Sequence, residues 1–237
     1  MDGYSCHQRL ISVAAVPAPI PSPAPTRITA VRHGETAWNA IMRLQGQLDI
    51  DLHERGRWQA ERVGAALADS GLQHIYSSDL CRAFNTAQAI ARHAGIAPEA
   101  IVRDSGLRER SFGSLEGLTY AQVGELHPQE ALRWKQRDPL WAPPQGESPT
   151  EVLERVQAAV NAIAARHAGE HIAIVTHGGV LDMLYRLATG QELHAARTWE
   201  LGNCAINRLL WTPQGLSLVG WSDTGHLDEG PRDEFGS

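Results

Sequence analysis

The sequence predicts an α/β fold with three layers, α/β/α, built on a mostly parallel central sheet. Three observations carry this expectation. Short apolar runs alternate with helix-period stretches between residues 26 and 222, the pattern that crossover helices impose on a parallel sheet. Histidines and arginines stand where those runs end, at the edge where open α/β sheets bind ligands. The last two runs are separated only by Thr212-Pro213-Gln214-Gly215, which predicts a closing antiparallel hairpin.

The apolar runs place strands at 27–32, 74–77, 101–103, 171–176, 205–211 and 216–221, and the stretches between them place helices near 54–69, 79–94, 119–137, 149–168 and 178–189. The clearest helix start is Ser148-Pro149-Thr150-Glu151. Serine caps the first turn, proline suits the first helical position, and Glu151 completes a capping box. Residues 1–25, ending Pro-Ser-Pro-Ala-Pro, read as a disordered Pro/Ala-rich leader. The apolar stretch 10–20 within it is broken by Pro17 and Pro19 and has no small-residue cleavage site after it, so it does not read as a secretory signal. One domain is expected over 26–222, and 223–237 reads as a flexible acidic tail.

With 237 residues, 43% of them hydrophobic, the chain can bury a core that needs no disulfide or structural metal. Cys6, Cys81 and Cys204 are far apart and form no CxxC pair. They read as reduced thiols of a cytoplasmic protein. The net charge of −6 argues against a broad nucleic-acid footprint, and no run approaches the ~18 apolar residues of a membrane span. An anionic substrate must therefore be captured by local arginines against a repulsive overall field.

Four segments present chemistry at strand ends or helix starts. Arg32-His33-Gly34 follows the first strand. Arg82 lies in the first helical turn after Tyr76-Ser77-Ser78-Asp79, where free N–H groups favour anions. Glu109 is flanked by Arg108 and Arg110. His177 precedes Gly178-Gly179 and opens a helix. Phosphoryl transfer needs an in-line nucleophile, cations on the equatorial oxygens and an acid for the leaving alkoxide. Two histidines, two arginines and a glutamate supply that set without a metal. Arginine binds phosphate bidentately and keeps its charge. One histidine must be neutral to attack while the other can serve as a cationic donor, which requires their pKa values to be split.

The segments Arg32-His33-Gly34-Glu35-Thr36, Ser77-Ser78-Asp79-Leu80-Cys81-Arg82, Leu107 to Gly117 and Thr176-His177-Gly178-Gly179 resemble the histidine phosphatase superfamily, in its phosphoglycerate mutase-like branch. The resemblance spans about 27–211 and implies the phosphoglycerate mutase-like fold with a small cap insertion. It makes His33 the phosphoryl acceptor, and makes Glu109 the proton donor and later the base that activates water. It gathers Arg32, Arg82, His177 and Asn39 around the phosphate, with Gln45, Gly46 and Gly178 as further binding positions. It implies no cofactor and no metal, only phosphate or another anion in the site, and full activity in a chelator.

Only about thirty residues separate Gly113 from Gly146, shorter than the insertion that the resemblance associates with true mutases. The expected activity is thus hydrolysis of a small phosphorylated metabolite. Mutase-type phosphoryl transfer between hydroxyls, or a phosphate-binding module without turnover, are the alternatives. The insert carries Trp134, Trp141 and the basic run Arg133-x-Lys135-x-Arg137, readable either as cap packing or as substrate contact.

The other histidines (His7, His53, His74, His93, His127, His167, His171, His194 and His226) read as surface residues, with His53 set apart because it follows the Gln45-Gly46-Gln47 loop. Arg103, Arg108 and Arg110 are expected to pair with carboxylates on a solvated face. Glu116 competes with Glu109 for the acid role, and Glu109 has the alternative of pairing with Arg108. Cys204 reads as a small buried residue opening a strand. The edge of the hairpin at 205–221 offers a surface on which two copies could pair as a homodimer.

Overall fold

The computed structural model describes residues 24–228. The expected leader lies outside the described residues except for its last two positions, and so does the tail beyond 228. The chain runs β1 (Thr26–Arg32), α1 (Ala37–Ala40), α2 (Glu54–Leu67), β2 (His74–Ser77), α3 (Cys81–Ala94), β3 (Val102–Arg103), α4 (Tyr120–Leu126), α5 (Pro128–Gln136), α6 (Pro149–Ala164), β4 (His171–Thr176), α7 (Gly178–Thr189), β5 (Ile206–Thr212) and β6 (Gly215–Asp223). The six strands form one sheet in the order β3-β2-β4-β1-β5-β6. Pairing is parallel from β3 through β1 and antiparallel at β5 and β6, which is the predicted mostly parallel sheet closed by a hairpin.

Strand β4 is buried at every residue, and its side chains alternate between two cores as the pleat requires. Ile172 and Ile174 pack with Val156, Val160, Leu181 and Leu184 of α6 and α7. Ala173 and Val175 pack with Val63, Leu67, Ala83, Ala87 and Ile90 of α2 and α3. The result is two helical layers on opposite faces of the sheet, as predicted. The Ser148 capping box forms with Pro149 at the first helical position. No helix among the described residues is long and apolar enough to cross a membrane.

Several expectations need correcting. The helix predicted over 119–137 is two helices, broken at His127 (φ −133°, ψ 58°) ahead of Pro128. The residue before a proline avoids the helical region, and proline has no N–H to continue the ladder. The two pieces form a cap with its own small core of Leu44, Leu115, Val123 and Trp141. The predicted tail does not fray at 223: β6 reaches Asp223, and a short 3-10 turn at Gly225–Leu227 follows. Leu227 packs against the α2/α3 core, and Arg62 Nε donates to the His226 carbonyl.

Two of the histidines read as surface residues are buried, His167 and His171. The His171 ring meets Thr29 Oγ1 at 2.9 Å, and His167 Nε2 meets Tyr76 Oη at 2.8 Å. His53 is the N-cap of α2. Among the described residues the one grouping with metal-ligand spacing is His74, His167 and Glu170. It lies where β2 and β4 begin, and the Glu170 carboxylate already pairs with both imidazoles at 3.1 and 2.6 Å.

Candidate active site

Register brings the two candidate histidines together. Arg32 pairs with Thr176 at the carboxyl ends of adjacent parallel strands, and His33 N–H donates to the Thr176 carbonyl at 2.9 Å. The imidazoles that follow, His33 and His177, lie 5.1 Å apart between ring centroids. His33 Nδ1 lies 2.7 Å from the Gly34 carbonyl. A carbonyl only accepts, so Nδ1 carries the proton and Nε2 carries the lone pair. Asn203 Nδ2 donates to the His33 carbonyl at 2.8 Å and fixes the backbone from the far side. The glycine after His33 has a packing reason. A Cβ there would meet the Gly56 carbonyl oxygen at 2.3 Å, because α2 docks against it.

Burial, followed by the charges of Arg82 and Arg32, holds the His33 imidazole well below its ordinary pKa. Burial with Arg82, His33 and Arg32 does the same to His177. Both imidazoles are thus shifted in the same direction, towards the neutral form, because both face the same two cations. Both ring nitrogens of His177 are buried without a hydrogen-bond partner. An arriving phosphate dianion reverses the local field and supplies the missing acceptor.

Arg82 is 1% exposed. Its Nη2 donates to the Gly46 carbonyl at 2.7 Å and its Nη1 to the Leu48 carbonyl at 2.8 Å, so the 44–49 loop holds the guanidinium by two of its edges. The α3 N-terminus beside it is not the open anion site that was expected. Cys81 N–H is taken by Asp49 Oδ1 at 2.7 Å, and burial with Asp49 raises the Cys81 thiol to about 12. Arg32 Nη1 donates to the Leu201 carbonyl. The Nε atoms of Arg32 and Arg82 and the Oε1 of Gln45 are buried without a partner. Buried donors and acceptors are almost always paired, so this concentration marks where a ligand completes the structure.

Glu109 lines the same cavity as Arg32, Gln45 and Arg82. The N–H of Gly179, in the first turn of α7, lies 3.1 Å from both of its carboxylate oxygens, and Arg110 N–H donates to Oε1 at 2.8 Å. Arg108 is not its partner, because Arg108 forks onto Asp79 at 2.6 and 2.7 Å. Glu116, the competitor, is structural: its Oε1 accepts from Gln47 N–H at 3.0 Å and Phe112 N–H at 2.9 Å. Arg110 leaves the solvated face assigned to it, since it donates to the Glu147 and Trp141 carbonyls and lines the cavity. Arg103 lies over the Phe84 ring at 3.6 Å.

These groups open onto one cavity of about 880 Å³. Arg32, His33, Asn39, Gln45, Gly46, Arg82, Glu109 and Gly178 all line it, and His177 lies against the His33 ring. Asn39 is oriented by its Oδ1, which caps α1 by accepting from Thr36 N–H and Oγ1. Eight cationic side chains face four carboxylates around the wall, so the local field attracts anions despite the net charge of −6.

Trp134 and Trp141 pack in the cap, as one of the two readings had it. They line the cavity, while Trp134 stacks on Phe112 and Trp141 Nε1 donates to Glu130 at 3.0 Å. The sequence reading missed Asn203, Tyr120, Asp182, Arg197 and Trp199. Asn203 stood beside Cys204 in Gly202-Asn203-Cys204, and a turn residue just ahead of a central strand was its only signal.

The family model for the histidine phosphatase superfamily (branch 1) matches residues 28–224. The chain belongs to the histidine phosphatase superfamily. Among the relatives of this superfamily member are two proteins of Arabidopsis thaliana. A phosphoglycerate mutase-like protein 4 is 38% identical over 205 residues, covering 85% of this chain and 87% of the relative. A metal-independent phosphoserine phosphatase is 37% identical over 204 residues, covering 85% and 83%. A mycobacterial glucosyl-3-phosphoglycerate phosphatase, solved as a complex with VO3, superimposes with a TM-score of 0.74 at 31% identity, covering 84% of this chain and 99% of that one. Bacillus stearothermophilus YhfR gives a TM-score of 0.79 at 32% identity, covering 86% and 100%.

Proposed function

We propose that this histidine phosphatase is a cytoplasmic phosphomonoesterase that hydrolyses a small phosphorylated metabolite through a phosphohistidine on His33. The observation that carries the reading is the tautomer of His33. Its Nδ1 is committed to the Gly34 carbonyl, which leaves a neutral Nε2 lone pair in the field of Arg82 and Arg32. The phosphatase names of the Arabidopsis and mycobacterial relatives support the reaction class.

In the first step Nε2 attacks phosphorus in line. The P–O ester bond breaks, and protonated Glu109 gives its proton to the leaving alkoxide. Arg32, Arg82 and His177 carry the charge that builds on the equatorial oxygens. In the second step Glu109, now a carboxylate, takes a proton from water as it attacks the phosphohistidine. The P–N bond breaks, and inorganic phosphate and free His33 are regenerated. The chain's own arginines supply the cationic clamp, so no metal or cofactor enters either step. The word metal-independent in the name of one relative agrees with this.

A phosphate-release screen over a metabolite panel, run in a chelator and without a bisphosphorylated primer, tests the reading. Wild type is expected to release phosphate, and His33→Ala to lose roughly 10³-fold or more. Equal rates for the two proteins would remove His33 as nucleophile. Isomerisation without phosphate release, and only with primer, would make the chain a mutase.

A further inference from the structure

All the buried side-chain nitrogens and oxygens without a partner among the described residues belong to six residues: Arg32, Gln45, Arg82, His177, Asp182 and Trp199. Arg32, Arg82 and His177 offer donors to the phosphate and are explained by it, and Gln45 Oε1, an acceptor, belongs to the 44–49 loop that holds Arg82. Asp182 Oδ1 and Trp199 Nε1 have no such account. Both residues line the same cavity. Asp182 is three residues beyond Gly179 on α7, so it stands on the same face of the helix about 4.5 Å further along the axis from the N–H that holds Glu109. Asp182 is thus displaced along α7 from the carboxylate of Glu109, which the Gly179 N–H holds.

The two atoms are fixed in place without being satisfied. Asp182 Oδ2 accepts from Arg186 Nε at 3.0 Å, while Arg186 also donates to the Glu192 carbonyl and, at 3.1 Å, to the Ala195 carbonyl. This ties α7 to the loop that carries Trp199. The indole stacks on Tyr185 with centroids 4.0 Å apart, and the Arg186 guanidinium lies 4.9 Å from its ring centre. One unpaired acceptor and one unpaired donor are complementary to a single hydroxyl, which both donates and accepts.

We infer that Asp182 and Trp199 form a second polar subsite that binds a hydroxyl of the leaving alcohol, the hydroxyl donating to Asp182 Oδ1 and accepting from Trp199 Nε1–H. The substrate is accordingly a phosphorylated polyol or sugar and not the ester of a simple apolar alcohol. This rests on the phosphomonoesterase reading of the same site.

Binding of glycerol phosphate and of propyl phosphate to the full chain carrying His33→Ala, which prevents turnover, is measured by calorimetry. The hydroxylated ester is expected to bind roughly 10- to 100-fold more tightly. Trp199→Phe keeps the stacked ring and removes only the N–H. Asp182→Asn keeps an oxygen for Arg186 and puts a donor where the acceptor stood. Either change is expected to bring the ratio of the two affinities towards one. A ratio near one in the starting protein, or a loss equal for both esters in both variants, overturns the subsite. Preserved hydroxyl selectivity together with no phosphate release by wild type from any ester would instead overturn the phosphomonoesterase reading alone.

Discussion

The N–H of Gly179 bisects the carboxylate of Glu109, 3.1 Å from each oxygen. The proposed proton donor is thus held by the first turn of a helix that follows the strand ending just before the second histidine. A Cβ at Gly179 would lie 2.3 Å from Glu109 Oε1. Gly179→Ala is therefore expected to push the carboxylate away from the ester oxygen. Turnover should fall by about 10²-fold, the lower end of what a general acid supplies. Alanine is the better helix former by up to ~1 kcal/mol, so the melting temperature should hold or rise. Kinetics and thermal melts on the same sample check both halves, and a matching loss of stability would show that the glycine is needed for folding instead.

Arg82→Lys separates charge from shape. The guanidinium reaches the Gly46 and Leu48 carbonyls at once, a geometry that a single ammonium cannot copy. Losing one buried bond of this kind costs about 1–3 kcal/mol. We expect a lower melting temperature and, because the 44–49 loop also lines the phosphate position, inorganic phosphate bound at least tenfold more weakly. Calorimetric titration with phosphate reads this directly, and unchanged affinity would remove Arg82 from the pocket.

How much of this was legible depended on whether the signal was local. His33 and His177 could be read because each follows its own strand directly and precedes a glycine. Parallel register then aligned them, since Arg32 pairs with Thr176. The cap break at Pro128 was visible in principle, but helical periodicity on both sides of His127 outweighed it. Arg110 looked like a surface cation because Glu109 and Arg108 flank it, while its acceptors, the Glu147 and Trp141 carbonyls, lie more than thirty residues away. The burial of His167 and His171 was hidden for the same reason. Their partners Tyr76 and Thr29 come from other strands. Asp182 and Trp199 belong to no motif, and only the folded cavity brings them to one wall.

Acid should destabilise the anion-free protein earlier than its carboxylates alone would. Burial beside Arg82 and Arg32 keeps His33 and His177 well below their ordinary value of 6.5. Burial also lowers His171 and His226. As pH falls past 6.5 the unfolded chain binds protons that the folded chain refuses, so stability is full above that value and is lost below it. The lowered carboxylates Asp79 and Asp223 act only in a more acidic range. Melting temperatures should be level from pH 8 to 7 and fall between pH 6.5 and 5, with inorganic phosphate restoring part of the loss by accepting from His177. A level profile, or a fall that phosphate and His177→Gln both leave untouched, would contradict the assignment.

Glu109 and Glu116 make the sharpest contrast, because they share a loop and differ in what they hold. Glu116 Oε1 collects the Gln47 and Phe112 N–H groups, so Glu116→Ala should cost about 1–3 kcal/mol of stability. Glu109→Gln should leave the melting temperature unchanged and lower turnover of alkyl phosphates by about 10²- to 10⁴-fold. An aryl phosphate separates its two duties. The phenolate leaves without a proton, so His33 is phosphorylated at close to the normal rate, but water still lacks its base. Glu109→Gln should then give a burst of one phenol per chain, and acid-labile phosphate should accumulate on His33. Slow phenol release with no burst would place the defect in the first step alone and withdraw the second role of Glu109.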